Sequence, residues 1–280
     1  VSQEVTTVGI LHPGAMGAAI ATQMEARTTR CLWCPDQRGP DTRRRAHAAG
    51  LREATLTEIA ASDVVISLVP PTAAEETAHS MAEHGFSGIY VEANAIRPQR
   101  MEALAEPLNA GGATVVDACV IGPPPPSRTR TRLYLAGPHT ACATVRGLFH
   151  DEHLDIGYLG EVGRASALKI SHTVAQKATR LVSALATALA SDYGVAEELT
   201  EIVRTWEHPA ADPTRYPGVA ARAWRWKGEF EDTATALNEA GLPPATLHAL
   251  ADLLTQWEKF KDAPDTGLAD VLSALHGLDN

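Results

Sequence analysis

Two stretches of this chain place chemistry-bearing side chains at informative spacing. In VGILHPGAMG, residues 8–17, an apolar run ends at His12 and Pro13 and is followed by Gly14, Ala15, Met16 and Gly17. A glycine at 14 lets the backbone approach an anion, and one at 17 lets the following helix pack close to the strand. The helix start adds unused N–H donors and the positive end of a dipole. This is the context of a dinucleotide-phosphate turn, with His12 in the place of its first glycine. Taken alone, a two-glycine match favours an ordinary glycine-rich strand-to-helix turn. The second stretch is GEVGRASALKISHT, residues 160–173. If a helix begins near Arg164, then Ser166, Lys169, His172, Thr173 and Gln176 recur at three- and four-residue intervals and share one face. Such a polar stripe on an otherwise apolar helix faces either solvent or a wet cleft. For a lone lysine the solvated edge of an amphipathic helix is the better reading.

A further group of residues bears on the first stretch. Dinucleotide folds that prefer NAD place an acid about twenty residues beyond the glycine turn, at the end of the second strand, to bind the ribose hydroxyls. Here Cys34 stands at that point, and CPDQRGPDTRRR then supplies Arg38, Thr42, Arg43, Arg44 and Arg45. Guanidinium groups pair with phosphate through charge-assisted bonds, so the cluster favours NADPH with its 2′-phosphate. Asp36 keeps NAD as the second cofactor, and any one of these arginines reads equally as the solvated start of a basic helix. Cys31 and Cys34 form a C-x-x-C, but on a strand they point to opposite faces; they read as packing residues, and no metal site is expected.

The elements that must position these residues are legible as patterns. TTVGILH, TRCLWC, SDVVISLV, GIYVEAN, ATVVDACVI and RLYLAG are strand candidates, and helical patterns separate them. Ala15 to Arg27 reads as the first crossover helix. Several strands are nearly continuous apolar runs, as expected when helices cover both faces of a parallel sheet. The fold class is therefore α/β, with an N-terminal doubly wound parallel sheet of the Rossmann type. From Arg164 the texture changes, and a run without proline extends to Tyr193, enough for a helix of roughly 40 Å. Only helical patterns follow it. The spacing predicts a nucleotide-binding domain over 1–163 and an all-α domain over 164–280 that opens with a long interdomain helix. PPPP at 123–126 reads as a stiff turn.

With 280 residues and 45% apolar composition, the chain is long enough to bury a large core and to form two domains. The four cysteines, Cys31, Cys34, Cys119 and Cys142, show no extracellular framework and fit a reducing compartment, so a cytoplasmic location is expected. No apolar run is long enough to span a bilayer and the N-terminus lacks signal-peptide features, so a soluble protein without a membrane partner is expected. A formal net charge of −10 speaks against a general nucleic-acid surface. The expected partner is a small molecule.

Taken in order, these motifs resemble the 3-hydroxyisobutyrate and 6-phosphogluconate dehydrogenase superfamily, the β-hydroxyacid dehydrogenases, to which imine reductases are related. The closest resemblance is to its phosphogluconate-dehydrogenase-like branch, which has its own C-terminal domain. HPGAMG matches the branch's glycine turn, and VDACVIGPPPP lies where the superfamily carries D-A-P-V-S-G-G. GEVGRASALK matches G-x-V-G-x-G-x-x-x-K, with Ala165 replacing one glycine, and AWRWKGEFED followed by AGLPP is similar to the branch's C-terminal helices.

The resemblance implies that Lys169 donates a proton to the substrate in reduction, or accepts one in oxidation. It places Leu68, Val69 and Pro70 at the cofactor ribose, Asn94 near the nicotinamide, and Cys119, Val120, Ile121 and Gly122 on the substrate loop. His172 matches a histidine of sugar-acid members that would bond a substrate hydroxyl. A homodimer built from the helical halves is also implied. Three departures stand out: Ile121 replaces the loop's serine, Pro123 its second glycine, and Thr173 the asparagine four residues after the lysine. These point away from a simple hydroxy acid. Trp206, Trp224 and Trp226 suggest a larger or less charged substrate, although tryptophans are core or interface residues by default. Trp226 and Lys227 are the substrate-side candidates there, with Arg215 and Arg225 as further anion contacts. Three readings follow: an NADPH-dependent oxidoreductase acting on a carbonyl or alcohol carbon, an imine reductase acting on C=N, and a non-catalytic NADP-binding protein. Lys169 argues against the second, and the altered loop argues for it.

Overall fold

The computed structural model describes residues 5–26, 28–150, 152–205, 212–239, 241 and 243–276, and the chain divides into two compact units, residues 1–169 and 170–280. In the first unit the chain runs β1 (Thr6–Leu11), α1 (Ala15–Ala21), β2 (Thr29–Trp33), α2 (Pro40–Ala48), β3 (Arg52–Glu53), α3 (Leu56–Ala60), β4 (Val64–Ser67), α4 (Ala74–Glu83), β5 (Ile89–Glu92) and α5 (Pro98–Ala110). It continues through β6 (Thr114–Ile121), β7 (Thr131–Ala136), α6 (His139–Arg146), β8 (Leu154–Tyr158) and the first part of α7 (Arg164–Thr173), whose residues from 170 on belong to the second unit.

The strands form one sheet in the order β3-β2-β1-β4-β5-β6-β7-β8. The first six are parallel, and their order reverses at β1, the position where doubly wound sheets bind nucleotides. The expectation of parallel pairing ends there, because β7 runs antiparallel to β6. The connection over residues 122–130 is shorter than the roughly dozen residues that a parallel crossover needs. Strands β3 and β8 were not among the candidates. Neither shows a continuous apolar run: β3 is the exposed pair Arg52–Glu53 at one edge, and β8 (LDIGY) at the other edge interrupts its apolar residues with Asp155 and Gly157.

Both faces of the sheet are buried. Val64 and Ile66 belong to the core cluster that holds Ile10, Ile20 and Trp33, while Val65 belongs to the one that holds Ile59, Met81 and Tyr90. This explains the continuous apolar runs. Helix α1 is shorter than the expected Ala15 to Arg27, since the chain beyond it turns to pair with residues 148–150. Glu25 N–H bonds the Leu148 carbonyl, and His150 N–H bonds that of Gln23, both at 2.9 Å. Arg27 lies outside the described residues.

The long helix expected from Arg164 forms as α7, a π-helical turn (Val174–Ala178) and α8 (Thr179–Asp192). The second unit continues with α9 (Ala196–Arg204), α10 (Tyr216–Ala223), α11 (Trp226–Glu239), α12 (Ala245–Leu254) and α13 (Leu268–Ser273), around a core of Leu181, Tyr216, Phe230 and Trp257. Its described residues contain only helices and turns. Helices α10 and α11 come from one continuous pattern. They part at Trp224 and Arg225 because the Ala221 carbonyl takes the Asp262 N–H at 2.9 Å, leaving the Arg225 N–H to bond Arg222. Among the described residues, no helix is long and apolar enough to cross a membrane.

Candidate active site

The candidate site begins at the end of β1. His12 has φ +66°, in the left-handed region where glycine is the usual residue, so the turn keeps the geometry of a first glycine while carrying an imidazole. The His12 carbonyl accepts the Gly14 N–H at 2.8 Å, and a Cβ on Gly17 would stand only 2.9 Å from that same oxygen. Gly17 is thus required for the close approach of α1 to β1. The amides of Ala15, Met16 and Gly17 precede the first helical bond, from the Ala18 N–H to the Gly14 carbonyl at 3.0 Å, and are donors of the open first turn. Pro13 is buried at the entrance. The half-buried His12 keeps Nδ1 buried with no hydrogen-bond partner among the described residues. Burial, then Arg38 and Arg45, push its pKa below the ordinary 6.5, so the ring is neutral at pH 7.

The arginine cluster divides its work. Arg43 bonds the Pro35 carbonyl at 2.9 Å and pairs with Glu53 at 3.4 Å, and Arg44 pairs with Asp41 at 2.6 Å. Arg45 donates to the hydroxyl of buried Thr42 at 3.1 Å. Exposed Arg38 and partly buried Arg45 are the members whose charge reaches His12. Cys31 and Cys34 are free thiols, and Cys31 donates to the Met24 sulfur at 3.6 Å, consistent with packing roles.

Beyond the ends of β4 and β5 the chain places Leu68, buried Val69, exposed Pro70 and Asn94. Asn94, 4% exposed, donates its N–H to Glu92 Oε1 at 3.0 Å and its Nδ2 to Ser67 Oγ at 3.2 Å. The next strand carries Asp117. Its Oδ2 accepts the N–H groups of Gly163, Ala165 and Ser166 at 2.9, 3.0 and 3.0 Å, and its Oδ1 accepts the Ser166 hydroxyl at 2.7 Å. This carboxylate satisfies donors that the start of α7 would otherwise leave without partners. Ser166 is therefore buried against Asp117 instead of lining a wet face.

One turn further along α7, Lys169 Nζ donates to the Val120 carbonyl at 2.8 Å. Loss of surrounding water pulls its pKa below the usual lysine value of 10.5. Cys119 is fully buried beside it, with a thiol pushed up to about 12 by desolvation, so it packs as a neutral group. The structure thus brings together Lys169, Cys119 and Val120. Half-buried Ile121 and exposed Gly122, the latter with φ +120°, continue from there into the β6–β7 loop.

Within the second unit, Thr173 Oγ1 donates to Glu229 Oε2 at 3.5 Å, and Lys177 from the π-helical turn pairs with the same oxygen. Lys177 Nζ also lies 5.4 Å from the ring centre of Trp226. Thr173 and Trp226 are therefore drawn into one cluster with two residues that the sequence reading passed over, Lys177 and Glu229. Lys227 and His172 are partly exposed on their helices. Trp224 is stacked by Arg225 and Lys261, and Trp206 lies outside the described residues. Ser67, Glu92 and Asp117 were also passed over as site residues. Their signal is a polar residue closing a fully buried apolar strand, or interrupting one, since burial demands partners for it.

The family model that matches is that of a domain of unknown function, DUF1932, over residues 190–257. No curated protein matches the sequence. A solved 3-hydroxyisobutyrate dehydrogenase from Mycobacterium tuberculosis, in a structure with L-serine, superimposes with a TM-score of 0.73 at 16% identity, over 98% of this chain and 100% of that one. The chain carries the 3-hydroxyisobutyrate dehydrogenase fold. An imine reductase from Streptomyces aurantiacus shares it, with a TM-score of 0.59 and 20% identity over 96% of this chain and 99% of that one. So does a reductive aminase from Aspergillus terreus, in complex with NADPH and ethyl-5-oxohexanoate, at 0.58 and 19% over the same shares. The β1–α1 turn fits a dinucleotide on its own geometry: a left-handed residue at 12, a helix approach that no Cβ at 17 would allow, and a buried His12 Nδ1 with no hydrogen-bond partner among the described residues.

Proposed function

We propose that this protein is an NADPH-dependent oxidoreductase that moves a hydride between the nicotinamide and a carbonyl or alcohol carbon of a small molecule. The observation that carries the reading is the lysine held on β6: Lys169 Nζ lies 2.8 Å from the Val120 carbonyl, with its charged form disfavoured. A lysine in that state can release a proton to a developing alkoxide, or accept one from an alcohol, near neutral pH. NADPH supplies the hydride chemistry when bound. The amides of Gly14 to Gly17 would hold the pyrophosphate, with His12 and Pro13 shaping their turn, and Arg38, Thr42 and Arg43 would bind the 2′-phosphate. Leu68, Val69 and Pro70 would border the ribose, and Asn94 the nicotinamide. Cys119 to Gly122, His172, Thr173, Trp226 and Lys227 would contact the substrate. NAD is the second cofactor, and a cytoplasmic homodimer is the assembly we propose.

A second reading, reduction of a C=N bond, is favoured by Ile121 and Pro123, which remove polar and small residues from the loop that would grip a carboxylate. One assay separates the two: NADPH oxidation with 3-oxo acids and aldehydes against cyclic imines and ketone–amine mixtures, in the wild type and in Lys169→Met. Carbonyl turnover lost in the variant supports the first reading. Imine turnover that survives Lys169→Met supports the second. NADPH binding without turnover of either class leaves a non-catalytic binding protein.

A further inference from the structure

Glu92 ends β5 and is 1% exposed, and in the parallel register it lies directly opposite Asp117 on β6, itself fully buried. Two carboxyl groups on neighbouring strands, about 4.8 Å apart between backbones, are poor candidates for simultaneous ionisation away from water. Their donor supply decides which one keeps the charge. Asp117 receives three backbone N–H groups and a hydroxyl. Glu92 receives the Asn94 N–H on Oε1, while Oε2 is buried and meets no partner of normal hydrogen-bond geometry among the described residues. The Ser67 hydroxyl and Tyr90 phenol lie beside the Glu92 carboxyl. Among the described residues, the titratable groups whose charge or hydrogen bonds reach it are Asp117 from β6 and Tyr90 from its own strand; neither supplies a positive charge.

We infer that Glu92 is a positioning residue that works as a neutral carboxylic acid, fixing Asn94 at the end of β5 while Asp117 alone carries the buried negative charge. Asn94 is tied down twice, through its N–H to Glu92 and its Nδ2 to Ser67, so its amide cannot reorient without breaking one of these bonds. Burial, reinforced by Asp117, raises Glu92 to about 8, so the acid form prevails at neutral pH and gives way above it. A newly formed carboxylate would need donors for Oε2. Ser67 and Tyr90 are within reach, and a Ser67 hydroxyl turned to donate to Oε2 redirects the lone pairs that receive Asn94 Nδ2. The part of this inference that concerns cofactor rests on the function proposed above; the protonation of Glu92 does not.

The test pairs Glu92→Gln, which mimics the neutral acid, with two readouts. The first is the infrared carbonyl band of a protonated side-chain acid in cofactor-free protein. It is expected at pH 7, lost as pH passes about 8, and missing from Glu92→Gln. A band absent from wild type at pH 7, or unchanged by the substitution, overturns the inference. The second is the NADPH dissociation constant against pH. If only the acid form is competent, binding weakens about 10-fold between pH 7 and pH 9 in wild type and stays flat in Glu92→Gln. Equal pH dependence in both proteins overturns the positioning role. Should wild type bind no nicotinamide cofactor at any pH, the proposed function fails while the infrared titration still decides the state of Glu92. Should Glu92→Gln not fold, a ¹³C-glutamate titration of wild type takes its place: a carboxyl resonance titrating near 8 supports the inference, and none doing so overturns it.

Discussion

Asp117 and Ser166 are joined twice: one carboxylate oxygen takes the serine amide at 3.0 Å and the other takes its hydroxyl at 2.7 Å. With the Gly163 and Ala165 amides on the same carboxylate, this pairing fastens the start of α7 to the middle of β6. Asp117→Ala would leave three buried N–H groups without an acceptor, and a loss of about 3 kcal/mol is expected. Urea unfolding of the two proteins measures it. A midpoint unchanged by the substitution would show that water or a shift of the helix replaces the carboxylate.

The turn at β1 predicts opposite responses at two positions. Gly17→Ala forces a Cβ against the His12 carbonyl, where 2.9 Å is available, and should cost about 1–3 kcal/mol. His12→Gly should change stability by less than about 1 kcal/mol, because relief of the left-handed backbone offsets the greater entropy of an unfolded glycine. Thermal unfolding distinguishes them, and His12→Val, β-branched at φ +66°, should be the least stable of the three.

Arg38 is the exposed guanidinium whose field reaches His12. Losing a charge-assisted bond to the 2′-phosphate is expected to weaken NADPH binding about 10-fold in Arg38→Ala while NADH changes less than about twofold. Fluorescence titration with each cofactor reads both values. Equal losses for the two cofactors would place Arg38 elsewhere than at the 2′-phosphate.

Lys169 gives a pH dependence with a definite sign. If Lys169 is the proton donor proposed above, reduction needs the protonated amine, and desolvation lowers its pKa below 10.5, so reductive kcat should fall with rising pH before an ordinary lysine would titrate. In Lys169→Met that alkaline limb disappears and kcat drops by about 10²–10⁴. A limb that persists in the variant belongs to another group.

Glu92 makes stability itself pH-dependent. Its folded-state pKa, raised to about 8, exceeds that of an unfolded glutamate, so the folded chain retains a proton that the unfolded chain has released. This contribution is fully present below the unfolded value and is lost as pH climbs from there to about 8, on the order of 1 kcal/mol per pH unit. Urea midpoints at pH 5, 7 and 9 should therefore decline more steeply in wild type than in Glu92→Gln.

Much of this was readable from residue order. Continuous apolar runs such as VVIS and YVEAN announced buried strands, and glycines 14 and 17 announced the turn, since both signals are local. The lysine's surroundings were less legible, because the partners that place it lie on β6, about fifty residues away in sequence, and only register joins them. The Glu92 and Asp117 juxtaposition was hidden for the same reason. The π-helical turn at 174–178 left no mark in a pattern that stays helical throughout. The grouping of Thr173, Lys177, Trp226 and Glu229 depends on how α11 returns, which no spacing encodes.

One strand holds α7 at two points: the Asp117 carboxylate grips its first turn, and three residues later the Val120 carbonyl receives Lys169. The lysine is thereby indexed to the β-sheet register and belongs to the first compact unit of the chain. The cluster around Thr173 and Trp226 is assembled entirely from the other half. In the function proposed above, the proton donor would then be set by the sheet and the substrate side by the helical unit, so substitutions in that cluster should leave the lysine where β6 puts it.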